Sequence, residues 1–195
     1  MRNTLRLIAI CALLAVYTRP ALAETPTTQI QQTVEQVLKV VANTATGDAE
    51  RREMLRSTLV TRFDWYEMAR QSLGKHWPSA SGREDEFVTA LAEFLGNAYV
   101  SKIGTYRDEK ILFLQEVVDH ERAQVMTKLV SPKGEPTAIN YRLHRVDGEW
   151  KVYDVVVEDI SLVANFRSQF NRILAKGSFD DLLRQLREKE AGSKN

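Results

Sequence analysis

Residues 110–157, KILFLQEVVDHERAQVMTKLVSPKGEPTAINYRLHRVDGEWKVYDVVV, decide the fold. Four segments rich in Val, Ile, Leu and Tyr run from Lys110 to Val118, Arg122 to Val130, Thr137 to Val146 and Glu149 to Val157. Turn-forming residues divide them: Asp119-His120, Ser131-Pro132-Lys133-Gly134 and Asp147-Gly148. β-branched and aromatic side chains suit a pleated backbone, and Asp-Gly suits the left-handed dihedrals of a tight hairpin. In the third segment Ile139, Tyr141 and Leu143 alternate with Asn140, Arg142 and His144. That alternation predicts a four-stranded antiparallel meander with one wet face and one face covered by helices.

The period changes on either side. Upstream, Ile30, Val34, Val37, Leu38 and Val41 form one helical stripe behind a Thr25-Pro26 start signal. Gly47-Asp48 closes that helix and opens a second, with Met54, Leu55 and Leu59 on its apolar side. Asp64 is placed to cap a short helix that Gly74 ends, and a loop from Lys75 to Gly82 follows. Phe87, Leu91, Phe94, Leu95, Ala98, Tyr99 and Val100 then mark a longer helix, from about Arg83 to Ile103. Downstream, Leu162, Val163, Phe166, Phe170, Ile173 and Leu174 mark a helix over Ser161 to Lys176, and Leu182, Leu183 and Leu186 a last one from Asp180 to about Glu190. Helices, a meander, then helices packed back on the sheet make an α+β domain. A curved antiparallel sheet wrapped by helices suggests a cystatin-like or nuclear-transport-factor-like architecture, of a kind that often encloses an apolar cavity. Fold alone does not give function.

The N-terminus reads as a secretory signal. Arg2 and Arg6 precede an apolar run from Leu7 to Val16, and Ala21-Leu22-Ala23 is a small-residue cleavage site. The run falls short of the about 20 apolar residues that span a bilayer, and nothing later approaches that length. The expectation is a signal peptide over residues 1–23, a single domain over 24–195 with no membrane-spanning segment, and export. The lone cysteine, Cys11, lies in the signal, so the exported domain holds together without disulfides. Removing the signal takes Arg2, Arg6 and Arg19 from the 27 basic residues, leaving the 26 acidic ones in excess by two. A near-neutral domain lacks the concentrated basic surface that nucleic acid requires.

The sequence carries little reaction chemistry. His76, His120 and His144 show no metal-ligand spacing, and three surface histidines are expected. No G-x-S-x-G elbow or glycine-rich phosphate loop occurs, and Ser161 is placed to cap the helix after it. The alternative function is a small-molecule enzyme on the same cavity fold, with Asp154 or the Glu158-Asp159 pair supplying a tuned carboxylate base. The aromatic and aliphatic stripes do not separate the cases, because a packed core and a cavity lining look alike in sequence.

Trp150 to Phe170, WKVYDVVVEDISLVANFRSQF, resembles the MlaC family, also known as toluene-tolerance proteins, almost throughout. FDWYEMARQSLGKHW at Phe63 to Trp77 is similar to the family's F-D-x-x-x-M-A-x-x-x-L-G-x-x-W block. LVSPKGEPTAINYRL (Leu129 to Leu143) and ILAKGSFDDLLRQLRE (Ile173 to Glu188) fit as well, in the right order. Asp159 departs from the family, where glycine is common, and bears only on local turn geometry. The resemblance implies a periplasmic phospholipid-binding protein without enzymatic activity or cofactor, whose cargo is phospholipid. It implies acyl chains in an apolar cavity, exchange with an outer-membrane lipoprotein–porin complex and an inner-membrane ABC transporter complex, and a part in outer-membrane lipid asymmetry.

The expected lining takes Leu91, Phe94, Leu95 and Tyr99 from the long helix and Ile139, Tyr141, Val155 and Val157 from the covered sheet face. Ile160, Leu162, Phe166 and Phe170 come from the helix after the last strand. Arg167 is expected to form an ion pair or to contact a phosphate at the rim.

Overall fold

A computed structural model describes residues 24–192, apart from 44, 104–107 and 133. The expected signal peptide and the extreme C-terminus lie outside the described residues. Helix α1 spans Pro26–Ala42, α2 Asp48–Val60 and α3 Trp65–Leu73, and a 3-10 helix follows over Gly74–Ala80. Helix α4 is Glu84–Ile103. Strands β1 (Lys110–Asp119), β2 (Arg122–Val130), β3 (Thr137–Val146) and β4 (Glu149–Val157) lead to a two-residue β5 (Ile160–Ser161), then α5 (Leu162–Leu174) and α6 (Phe179–Gly192). The sheet is antiparallel in simple chain order, β1-β2-β3-β4-β5. Two details differ from the sequence expectation. The segment read as a loop after Gly74 coils into the 3-10 helix, and the meander gains a short fifth strand.

Local chemistry explains the ends. The Thr25 side chain accepts the Thr28 amide with Pro26 at the first helical position, Asp64 accepts the Glu67 amide, and Ser161 accepts the Ala164 amide. Gly74 adopts a left-handed φ of 55° where α3 stops. Asp147 and Gly148, at φ 51° and 84°, make the β3–β4 hairpin.

The apolar interior has three parts. A helical core gathers α3, α4, α5 and α6 around Phe87, Leu91, Phe170 and Leu182. A second cluster lies between α1 and the sheet, around Ile30, Val125, Leu143, Trp150 and Val152. A small third one joins Val41, Leu55 and Val100, where α1, α2 and α4 meet. Phe63 packs against both larger clusters and pairs in parallel with Val152, bridging sheet and helices at the β4 edge.

Candidate functional site

Strand register lays the inner sheet face out in rows across β2, β3 and β4. The first row is Ala123, Leu143 and Val152, the second Val125, Tyr141 and Val155, and the third Thr127, Ile139 and Val157. The first row is sealed, with Leu143 and Val152 at 0% exposure. In the second row Val125 is buried while Tyr141 and Val155 are only half-buried. In the third, Ile139 is half-buried and Val157 is 39% exposed. Exposure therefore rises along β3 and β4, away from the hairpin turns and towards the β4–β5 turn.

The gradient has a structural cause. Helix α1 packs on this face through Ile30 and is pinned at its hairpin end by polar groups. The Thr27 amide donates to Glu116 on β1 (2.7 Å), and the Trp150 amide donates to Gln29 Oε1 (2.8 Å). Arg62 donates to Thr33 Oγ1 (3.0 Å) and to the Trp150 carbonyl (3.2 Å). Among the described residues, the helices packed closely on the sheet are α1, α3 and α5, whereas α4 packs on α2, α3 and α6. The open half of the face thus keeps apolar side chains in mid-sheet partly exposed, with Tyr141 and Val155 at the margin of the α1 cluster.

The helical residues expected in the lining lie on α4 and α5, with Ile160 in β5. Phe94 meets Phe166 edge-on, with ring centroids 5.7 Å apart, and Phe166 stacks on Phe170 at 5.6 Å. Leu91, Leu95, Phe166 and Phe170 are buried in the helical core, and Phe94 and Leu162 are half-buried against it. Tyr99, further along α4, is 38% exposed, with the Lys102 ammonium 5.7 Å above its ring. Partial burial pushes the Tyr99 phenol up from its ordinary pKa. Six residues separate Ile103 from Lys110, so the end of α4 lies within about 24 Å of the open end of β1. At the lip between β4 and α5, Ile160 is 63% exposed.

The twelve expected lining residues thus fall into groups. Ile139, Tyr141, Val155 and Val157 form one contiguous block on the sheet. Leu91, Phe94, Leu95, Leu162, Phe166 and Phe170 share the helical core, and Tyr99 and Ile160 stand at the surface. Sequence reasoning missed Phe113. Phe113 pairs with Thr127 and extends the open block onto β1, but a bulge between Phe113 and Gln115 breaks the alternation that would have marked it.

Asp154, the carboxylate considered as a base, is 2% exposed and fully engaged. It accepts from Ser161 Oγ (2.7 Å), the Val163 amide (3.1 Å) and Arg142 (3.1 Å), which ties the start of α5 to the sheet. His144 is not a plain surface residue: its Nε2 lies 2.8 Å from Asp64 Oδ2, linking β3 to the cap of α3. Arg167 has no carboxylate within ion-pair distance among the described residues, and its stem lies against Gly74. No cluster of three metal-ligating side chains occurs among the described residues. Two surface depressions of about 440 and 520 Å³ are lined mainly by charged and polar groups of α5 and α6, such as Arg172, Lys176 and Arg187, a poor surround for hydrocarbon. No helix among the described residues is long and apolar enough to cross a membrane.

Residues 31–188 match a family model described as MlaC protein. The intermembrane phospholipid transport system binding protein MlaC of Haemophilus influenzae is 24% identical over 182 residues, 88% of this chain and 85% of that protein. The toluene tolerance protein ttg2D of Pseudomonas putida is 30% identical over 98 residues, 50% of this chain and 44% of that protein. A phospholipid-binding protein from Ralstonia solanacearum, solved in complex with a phospholipid, matches with a TM-score of 0.76 at 20% identity. The match covers 86% of this chain and 97% of that one, and at this identity it speaks to the fold.

Proposed function

The chain belongs to the MlaC family, and on that premise we propose that it is a periplasmic carrier that holds phospholipid acyl chains between the open half of the sheet and helices α4 and α5. The observation that carries this reading is the exposure gradient on the inner sheet face. Tyr141, Val155, Ile139 and Val157 are apolar residues in mid-sheet that stay partly exposed, beside a sealed row of the same chemistry. Hydrocarbon tails are the natural complement of such a surface.

The size of the hydrophobic effect explains why an interior site is needed. A two-chain lipid presents roughly 30 methylenes, and at about 0.8 kcal/mol each, their transfer to water costs about 24 kcal/mol. Adhesion at the surface cannot offset that, whereas a dry apolar lining makes hand-over from a bilayer nearly isoenergetic. Loading and release then run in either direction, and the direction is set by partners. In this reading those partners are an outer-membrane lipoprotein–porin complex and an inner-membrane ABC transporter complex, and phospholipid is cargo rather than cofactor. The names of the Haemophilus and Pseudomonas relatives support the reading. The enzyme alternative finds no support at Asp154, whose oxygens are taken up in holding α5.

Native mass spectrometry of freshly purified protein tests the proposal. The expected result is co-purifying phospholipid in the parent protein, and its loss in Val155→Glu and Ile139→Glu while circular dichroism shows a folded chain. Variants that keep a full complement of phospholipid would refute the site.

A further inference from the structure

Strand β1 stands at one end of the sheet, and among the described residues its only strand neighbour is β2. Its composition does not suit an edge. Leu112, Leu114, Val117 and Val118 are 44% to 56% exposed, and Ile111 and Phe113 extend the apolar run. Natural edge strands are blunted by charge, proline, brevity or a bulge, and β1 carries charges and a bulge, yet four large apolar side chains stay exposed along it. Among the described residues no strand takes up the backbone amides and carbonyls of its outer edge. A bilayer cannot satisfy these, but another strand can.

The charges of β1 indicate which strand. Lys110 opens it and Asp119 closes it, and both are exposed, Asp119 contacting only the neighbouring His120 (2.7 Å) among the described residues. Two identical strands paired antiparallel about a two-fold axis set like faces opposite one another. In a regular strand Lys110 and Asp119 would lie on opposite faces. The bulge between Phe113 and Gln115 corrects this: Lys110, Leu112, Gln115, Val117 and Asp119 stand opposite Val130, Lys128, Met126, Gln124 and Arg122, one face of β2. Antiparallel self-pairing then sets Lys110 beside Asp119 of the second copy and Leu112 beside Val117 of the second copy. On the other face it sets Ile111 beside Val118 of the second copy.

We infer that the β1 edge is a self-association surface, through which two copies of this chain join their sheets into one. A ten-residue edge buries less than the roughly 1,200 Å² of a standard interface, so the dimer is weak and depends on concentration.

Sedimentation velocity of the purified protein over a concentration series tests this by charge exchange. The parent protein shows a dimer that grows with concentration. Lys110→Glu and Asp119→Lys each weaken it about tenfold, because a like-charged cross-strand pair occurs twice across the axis. The double variant K110E/D119K regains the dimer. An equimolar mixture of the two single variants associates more strongly than either alone, since each supplies the charge the other lacks. Phospholipid content, read by native mass spectrometry, stays at the parent level throughout, which separates this surface from the cargo site. A protein that stays monomeric to its solubility limit, or a dimer indifferent to the exchange, overturns the inference and leaves the edge to a strand from another protein.

Discussion

Val152 and Val155 stand three residues apart on one strand and look towards the same side of the sheet, yet one is sealed and the other is half-buried. Val152 sits in the hairpin half, buried in a cluster with Ile30, Leu143 and Trp150, and Val155 only borders that cluster. Val155 sits in the open half with Tyr141, one row further on. The side chains are identical, so the difference lies in what covers them. The pegs of α1, not the hydrophobicity of the sheet, divide structural core from candidate lining.

The same substitution in the two halves gives the largest expected contrast. Val152→Glu places an unpaired carboxylate in a sealed site, at a cost above about 4 kcal/mol, and should leave no folded protein in near-ultraviolet circular dichroism. Val155→Glu should fold and lose its phospholipid. Equal damage from both would erase the distinction between the halves.

A gentler pair sharpens it. Leu143→Ala removes a fully buried side chain and should lower unfolding stability in urea by about 3 kcal/mol, whether or not lipid is bound. Ile139→Ala removes a half-buried one and should cost about 1 kcal/mol in the loaded protein. Ligand bound only by the folded state adds to stability, so the Ile139→Ala penalty should shrink once lipid is extracted. A penalty unchanged by extraction would place Ile139 in the ordinary core.

The strands, hairpins and principal helices were legible because each depends on local chemistry: alternation from Thr137 to Val146, Asp-Gly at the turn, Ser161 as a cap. The 3-10 helix over Gly74–Ala80 was not, since GKHWPSA carries a glycine and a proline and has no helical period. Nor was β5, whose two residues are too short for any pattern. Among the expected lining residues, sequence could not separate Leu91 or Phe170, sealed among helices, from Tyr141 or Val155 on the sheet. Leu91 and Phe170 are sealed by packing among the helices of the helical core, whereas burial on the sheet follows the position of α1. That position is fixed by Gln29 and Thr33, two buried polar residues that hydrophobic periodicity passes over. Gln29→Ala tests their role. It strips the Trp150 amide of its acceptor in a buried place and should cost about 2 kcal/mol. Hydrogen exchange at the Trp150 and Val152 amides should also rise towards open-half levels; protection that stays intact would show that α1 is held by its apolar stripe alone.

The turns that flank β4 also differ, and here the smallest effect is expected. At the hairpin end the β3–β4 turn places Gly148 at φ 84°. At the open end Glu158 and Asp159 take left-handed φ values of 47° and 65° with no glycine between them. A side chain in that region is strained by about 1 kcal/mol, less for Asp than for most residues, and glycine removes the strain but adds freedom to the unfolded chain. Asp159→Gly should therefore raise stability by about 0.5 kcal/mol, a rise of one or two degrees in Tm. Glu158→Gly offers the same relief but loses a contact, because the Glu158 carboxylate accepts the Ala138 amide across the turn. That variant should be neutral or destabilising. If calorimetry finds both variants equally stabilised, the carboxylate contact adds nothing and backbone strain alone governs the open end; if neither gains, the turn tolerates its left-handed residues without measurable cost.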